Sequence, residues 1–178
     1  MRSYSPQGRF DADFETDLIE DGIERDLKNP VGTHALWWVY DPATSTIDPI
    51  YDTASSSYGR NWKGPYKLPI VRAIIGQGKV PQDERGFYNN DSLHLTILGR
   101  DIEKIDKNVL NNPDVQNRGR ILWKNELFRP YGVQQRGIIA ERFTLVVVDC
   151  IQIMPEESVN DHMFLDYATA VPDTYDQS

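Results

Sequence analysis

The sequence predicts a mostly β protein, a small antiparallel β-barrel with an N-terminal helix, one short internal helix, long loops and extended termini. Runs rich in aromatic and β-branched residues recur through the middle of the chain, and turn residues separate them, as expected for six or seven strands. Turns and loops rather than helical crossovers join most of these runs. That arrangement indicates an antiparallel barrel or sandwich.

Residues 1–30 form an acidic N-terminal arm. Between Asp11 and Lys28 there are eight acids against two bases, and apolar residues recur there at helical spacing. We therefore predict an amphipathic helix that ends at Asn29-Pro30. A helix this acidic needs an apolar groove to bury its stripe of apolar residues, either on its own barrel or on the next subunit. The stripe residues that we expect at such an interface are Phe14, Leu18 and Ile23.

The barrel domain is predicted over residues 31–154, and its first half alternates strands with polar loops. The first strand holds Trp37 and Trp38, two bulky neighbours that we also expect at a subunit or partner interface. A short helix is predicted to follow the fourth strand. In order, the predicted elements are the strands His34–Tyr40, Ile47–Tyr51, Leu68–Ile75 and Ser92–Leu98, the loops Thr53–Tyr66 and Lys79–Asn90, and the helix Asp101–Leu110.

The loop Thr53–Tyr66 is the most distinctive segment of this half, because it mixes basic with aromatic residues. Long loops in compact domains are usually functional or disordered, and a purely solvating loop has no need of Trp. Bases beside stacking rings are typical of single-strand nucleic-acid binding, but Trp, Tyr and Arg also anchor protein partners. The candidate residues are Tyr58, Arg60, Trp62, Lys63 and Tyr66.

Three further strands are predicted between Asn117 and Met154. Lys124-Asn125-Glu126 predicts a tight hairpin turn, since Asn tolerates the left-handed backbone region. Pro130 confines its strand to a sheet edge or a bulge. The predicted strands are Ile121–Trp123, Leu127–Val133 and Phe143–Ile153, with a loop over residues 134–137.

The last of these strands is apolar on both faces at its centre. Leu145, Val146, Val147 and Val148 are consecutive, whereas a half-buried strand alternates apolar with polar residues. One face fills the core. The other face requires cover from a helix or second sheet of the same chain, or from a neighbouring subunit. We assign Val146 and Val148 to this expected interface.

The net charge of -8 is unevenly distributed. From Tyr58 to Arg136 there are fourteen bases and eight acids, whereas from Asp149 to Ser178 there are seven acids and no Lys or Arg. Solvated acidic tails around an ordinary core explain this pattern, including the predicted C-terminal tail over residues 155–178. The alternative is that the tails dock on basic surfaces of partners, or that the basic middle faces a polyanion.

Catalytic chemistry has little support in the sequence. The three histidines, His34, His94 and His162, lack metal-ligand spacing, and no phosphate loop, nucleophile elbow or metalloprotease motif occurs. Cys150 lies in an apolar strand beside Asp149, whose charge opposes a thiolate. No segment is apolar enough for a membrane span or resembles a signal peptide. We expect no enzyme activity, no metal, no cofactor and no membrane partner.

Two sequence blocks carry a family resemblance. Gly64-Pro-Tyr-Lys-Leu-Pro-Ile-Val-Arg-Ala73 precedes Arg120-Ile-Leu-Trp-Lys-Asn-Glu-Leu-Phe-Arg-Pro-Tyr-Gly-Val133, and a loop and a long apolar strand follow. The pattern is an apolar strand, a tight turn, aromatic-Arg-x-aromatic-x-Val, a loop and a final strand. Over roughly Val31 to Met154 the chain resembles the head-to-tail stopper proteins of long-tailed bacteriophages, especially those of actinobacteria.

The resemblance implies a small β-barrel that forms a homo-oligomeric ring in the neck of the virion, after assembly in the host cytoplasm. Such a ring lies below the portal and adaptor and above the tail terminator, and a long loop helps to retain packaged double-stranded DNA. Residues 53–66 match that loop by position, so Arg60 and Lys63 are expected to face the channel or the next ring. The acidic termini are additions, expected to clamp adjacent subunits or the adaptor. The alternatives are a tail terminator ring or a single-strand nucleic-acid-binding barrel.

Overall fold

The computed structural model describes residues 12–28, 32–48, 59–78, 91–105, 109, 111–139, 142–153 and 161–164. Predictions for the remaining residues, including Tyr58, the loop over 79–90 and the two acidic tails, lie outside this described part. The helices are α1 (Ala12–Ile23), which continues into a π-helical turn (Glu24–Lys28), α2 (Gly99–Glu103), α3 (Pro113–Arg118) and a 3₁₀ turn (His162–Phe164). The strands are β1 (His34–Tyr40), β2 (Trp62–Pro69), β3 (Arg72–Gly76), β4 (Ser92–Leu98), β5 (Arg120–Trp123), β6 (Glu126–Ile139) and β7 (Arg142–Gln152).

Seven antiparallel strands form one curled sheet, a half-barrel, in the order β2-β1-β5-β6-β7-β4-β3. Its two edge strands, β2 and β3, are consecutive in the chain. Ile70 and Val71 connect them: the Ile70 amide donates to the Thr33 carbonyl, and the Val71 amide donates to the Thr96 carbonyl. The chain therefore crosses from one edge of the sheet to the other within two residues, which requires the sheet to curl. The mostly β, antiparallel fold class is confirmed.

The predicted boundaries in the first half of the barrel are wrong in two places. Leu68–Ile75 is not one strand, because the chain changes hydrogen-bonding partner at Ile70 and divides between β2 and β3. Trp62 to Tyr66 belongs to β2 rather than to a loop, and it supplies the partner of β1. In the predicted return strand, only an isolated bridge at Ile47 is found, and residues 49–51 lie outside the described part.

The predicted β5–β6 turn is confirmed. Lys124 and Asn125 have φ values of 50° and 66°, and Trp123 pairs with Glu126, as in a two-residue hairpin. The register of β6 against β7 shifts between Pro130 and Gly132, which makes the bulge that Pro130 predicts. The loop predicted over 134–137 is wrong: β6 continues through these polar residues to Ile139, because they remain paired with β7.

The helical predictions are confirmed at the N-terminus and partly wrong inside the barrel. Helix α1 spans most of the predicted helix and lies against β6 and β7. The internal helix begins at Gly99 instead of Asp101 and ends at Glu103. Pro113 begins α3, since proline suits the first position of a helix.

Apolar side chains pack on both faces of the sheet. Val146, Val148 and Cys150 are fully buried in the main core, whereas Leu145 and Val147, on the opposite face of β7, are half-exposed. Trp37 belongs to the main core, and its neighbour Trp38 belongs to a second cluster on the other face. That second cluster contains Trp38, Tyr40, Trp62, Leu127, Ile153 and Phe164.

Candidate functional site

A cavity of about 420 Å³ lies where the β6 bulge meets the start of β2 and the end of α3, and we call it the arginine pocket. Four guanidinium side chains contribute to its lining, in a chain whose net charge is negative. The bulge supplies the outer rim, because the extra residue in β6 leaves the Tyr131 side chain 55% exposed. The lining residues are Arg60, Trp62, Asn117, Arg118, Arg120, Arg129, Pro130 and Tyr131.

The carboxylate of Asp161 binds two of these arginines. The Arg120 Nη2 donates to the Asp161 Oδ2 at 2.8 Å, and the Arg60 Nη1 lies 3.6 Å from the Asp161 Oδ1. Asp161 is 1% exposed and Arg120 is 4% exposed, so this is a buried ion pair. Phe164 follows Asp161 and packs edge-on against Trp38 and Trp62, with ring centroids 5.3 and 5.0 Å apart.

The guanidinium of Arg120 is tightly held but incompletely satisfied. Its Nη1 donates to the carbonyls of Arg118 and Gly119 at 3.2 and 3.0 Å, and the group lies 5.3 Å from the ring centroid of Trp62. Among the described residues, its buried Nε has no hydrogen-bond partner. Burial lowers the pKa of Arg120; Asp161 opposes this shift, while repulsion from Arg60 and Arg129 adds to it.

The hairpin register explains why arginines meet here. Ile121 pairs with Phe128 across β5 and β6, and Arg120 and Arg129 are the next residues outward on the two strands. Like charges opposite each other on neighbouring strands are destabilising unless an anion compensates them. The tight turn at Lys124-Asn125 indicates this proximity from the sequence, whereas Arg118 and Asp161 are not among the residues that the sequence predicts for a site.

The residues predicted on the basic loop lie in different surroundings in the structure. Arg60 and Trp62 line the arginine pocket, whereas the exposed Lys63 pairs with Asp41 at 3.1 Å and the half-buried Tyr66 packs against the main core. Trp62 is buried, and its Nε1 donates to the Arg118 carbonyl at 2.8 Å. Its ring is therefore unavailable for stacking on a nucleobase, which argues against the single-strand nucleic-acid-binding alternative.

The residues predicted at a subunit interface fall into a buried group and a group on α1 that is exposed or half-buried. Trp37, Trp38, Val146 and Val148 are buried within this chain, so they offer a partner no surface, and we withdraw them from the interface. On α1, Leu18 is 57% exposed, whereas Phe14 and Ile23 are half-buried. Ile19 and Leu27 are also exposed, so this helix presents apolar side chains to solvent.

Ion pairs hold α1 and its π-helical turn against α2. Arg100 of α2 pairs with Glu20, Asp21 and Glu24 of the helix and its π-helical turn. Lys28 pairs with Asp101 at 2.8 Å, and both side chains are largely buried. Glycine is required at position 99, because an added Cβ would lie 2.5 Å from the Phe143 carbonyl oxygen. Helix α1 is thereby fixed beside the Phe143 end of β7.

The anchored end of α1, from Glu20 to Lys28, and the arginine pocket lie at opposite ends of the β6–β7 hairpin. Phe143 pairs with Ile138, whereas Arg129 pairs with Ile151. The nine residue steps from Arg129 to Ile138 span roughly 30 Å of extended strand. The arginine pocket and the part of α1 that contacts Arg100 and Asp101 therefore lie at different ends of this hairpin.

Within the described ranges, no group of three His, Cys, Asp or Glu side chains is placed to hold a metal ion. The same ranges contain no helix of sufficient length and apolarity to span a membrane.

Comparison with known proteins gives a limited result. No family model and no curated protein matches the chain. A chain from the virion of a native gene transfer agent particle is similar in structure, with a TM-score of 0.41 and 10% sequence identity. That match covers 68% of this chain and 94% of the other. A likeness at this level carries no argument about function.

Proposed function

We propose that this chain is a structural protein of a phage-like virion, and more specifically a head-to-tail stopper that forms a ring in the neck. The observation that carries the proposal is the placement of the residues behind the family resemblance. The run Phe128-Arg129-Pro130-Tyr131-Gly132-Val133 supplies the aromatic-Arg-x-aromatic-x-Val pattern, and its Arg129, Pro130 and Tyr131 line the arginine pocket.

Two different surfaces of the chain, on α1 and at the arginine pocket, support the proposal of a ring. A head-to-tail contact requires two different, complementary surfaces on each copy, and it closes into a ring when the rotation between copies allows. Helix α1 offers exposed acids with exposed Leu18 and Ile19, whereas the pocket offers arginines beside exposed Tyr131. Because these are two different surfaces of one chain, one copy can engage a neighbour through each of them.

Retention of DNA and the neighbours in the neck are further parts of this proposal. The ring would contact the adaptor and portal on one side and the tail terminator or tail tube on the other. Of the loop residues first assigned to the channel, Lys63 is the described one that best suits DNA, because its side chain is exposed. Arg60 is reassigned to the pocket.

Deletion of the gene that encodes this chain tests the proposed function. The proposal predicts heads that package DNA and then lose it, and restoration by the wild-type chain. Heads that keep their DNA but carry tails of irregular length would instead favour the tail terminator, and unaltered particles would exclude both roles. Electron microscopy of heads and an assay of nuclease-protected DNA give these readouts.

A further inference from the structure

The two outer strands of the curled sheet differ in how they are protected from pairing with another chain. β2 forms one edge, and two prolines, two lysines and a register shift against β1 make it a poor partner for a further strand. These residues are Pro65, Pro69, Lys63 and Lys67. β3 forms the other edge, and after Arg72 at its start its sequence has no charged residue and no proline. β3 is therefore the edge that is open to a further strand.

Both faces of β3 present apolar side chains to solvent. Ile74 lies on the outer face opposite His94, and Ile75 lies on the inner face opposite Leu93 of the main core. The two isoleucines are 43% and 42% exposed. Among the described strands β3 pairs with β4 alone, and its five residues are an ordinary strand length. Such an edge is a template for the addition of a strand.

The sequence of β3 is complementary to itself. When two copies of Arg72-Ala-Ile-Ile-Gly76 run antiparallel about a twofold axis at the middle residue, every residue of the strand pairs. Ile74 then lies opposite Ile74, and Ala73 lies opposite the larger Ile75, so apolar side chains meet on both faces. Each Arg72 lies opposite Gly76, which has no side chain, and the two arginines are at opposite ends of the pair. The adjacent registers that keep each face continuous pair only residues 72–74 or 74–76.

We propose that two copies of the free chain pair through β3, antiparallel and centred on Ile74, so that their two seven-stranded sheets become one continuous sheet. The new ladder pairs amide and carbonyl groups along both edges, and the isoleucine contact removes apolar surface from water. The contact is isologous, since both copies use the same strand. It goes beyond the ring proposed above, which requires two different surfaces, and it does not depend on that ring.

Disulfide trapping at two neighbouring positions tests the register. In Ile74→Cys the two new thiols lie directly opposite each other, at the roughly 4.5–5.5 Å Cβ separation of a cross-strand pair, and mild oxidation should link them. In Ile75→Cys, an equally exposed control, the two thiols are offset by two residues, roughly 7 Å along the strand, and lie out of range. We expect about tenfold or more dimer from Ile74→Cys than from Ile75→Cys. Cys150 is buried and does not interfere.

A mixed preparation makes the register test complete. Ala73→Cys and Ile75→Cys, each unreactive alone, should form a mixed disulfide when combined, because these two positions lie opposite each other in the proposed pair. Equal trapping of Ile74→Cys and Ile75→Cys would indicate random collision and would overturn the proposal.

Charges at position 74 test the pairing without a covalent link. Ile74→Lys sets two ammonium groups opposite each other and removes the apolar pair, so it should weaken dimer formation by about tenfold or more. Ile74→Glu should act in the same way, whereas mixing the two variants should restore a dimer with one copy of each. Leu27→Lys, at an exposed apolar position in the π-helical turn, is the control and should dimerise like the wild-type chain. Sedimentation velocity over a range of protein concentrations measures the dimer, and circular dichroism confirms that each variant folds.

The remaining outcomes would each refute the contact. A wild-type chain that stays monomeric at every concentration would do so, as would a dimer that survives both charge variants. Consecutive amides of a strand face opposite sides, so protection of both the Ile74 and Ile75 amides from hydrogen exchange in a monomer would show that another segment of the same chain occupies this edge. These results leave the proposed function untouched, because the loss of DNA from heads that lack the chain tests that function separately.

Discussion

Removal of the Asp161 carboxylate is the sharpest probe of the arginine pocket. The variant Asp161→Ala leaves Arg120 buried without its 2.8 Å partner and still exposed to repulsion from Arg60 and Arg129. Breaking a buried ion pair from one side costs about 3–5 kcal/mol, because the remaining charge stays buried and uncompensated. Arg120 lines a cavity that water can enter and keeps its bonds to two carbonyls, so we expect a value near the lower end, about 3 kcal/mol.

For a domain of this size, each kcal/mol lowers the midpoint of thermal unfolding by about 2–4 °C, so the expected fall is about 6–12 °C. Circular dichroism during heating measures it. The matched control is Asp26→Ala, which removes an ion pair with Arg25 at the surface and should leave the midpoint unchanged.

A second variant tests whether repulsion is the cause. Adding Arg129→Gln to Asp161→Ala removes one of the neighbouring charges and should recover part of the lost stability. In the wild-type background the same Arg129→Gln change should have a smaller stabilising effect or none. A fall for Asp161→Ala no greater than that of the Asp26 control would refute the electrostatic reasoning.

Three other predictions concern single groups. Lys124→Gly should raise the free energy of unfolding by about 1 kcal/mol in urea titrations, since Lys124 has φ 50°, and Asn125→Gly, where Asn already tolerates such a backbone, should raise it less. Cys150 should resist thiol reagents until the protein unfolds, because burial raises the pKa of its thiol; labelling at the rate of an exposed thiol in native buffer would contradict this. The pKa of Asp41 lies below its ordinary value, chiefly through its hydrogen bond with Lys63, so its stabilising contribution is present above the ordinary Asp pKa of about 3.9 and disappears as the pH falls through the lower folded value. In Asp41→Asn, the free energy of unfolding should therefore fall less steeply with decreasing pH in this acidic range than it does in the wild-type chain. An unchanged pH dependence would show that another group controls it.

The elements best predicted from the sequence are those whose signal is local. The aromatic and β-branched residues of β1 and β7 predict strands, and Lys124-Asn125 predicts a turn that both positive φ values confirm. Pro130 predicts a bulge because proline has no amide hydrogen for the ladder. In each case a few adjacent residues carry the physical reason.

Which segments pair or contact each other was harder to predict, because such contacts depend on residues far apart in the chain. Trp62 has turn-forming neighbours and reads as part of a loop, but its pairing with Tyr40 makes it a strand residue. Val146 and Val148 fill the inner face of β7 on their own, so the apolar run did not require a neighbouring subunit to bury them. The pocket depends on Asp161, 41 residues beyond Arg120, and no local pattern brings those two together.

A density map of the neck in particles that carry this chain is the most direct test of the proposed role. We predict a ring of copies of this chain between the adaptor and the tail. A neck that lacks the chain, or copies that never touch one another, would contradict that assignment.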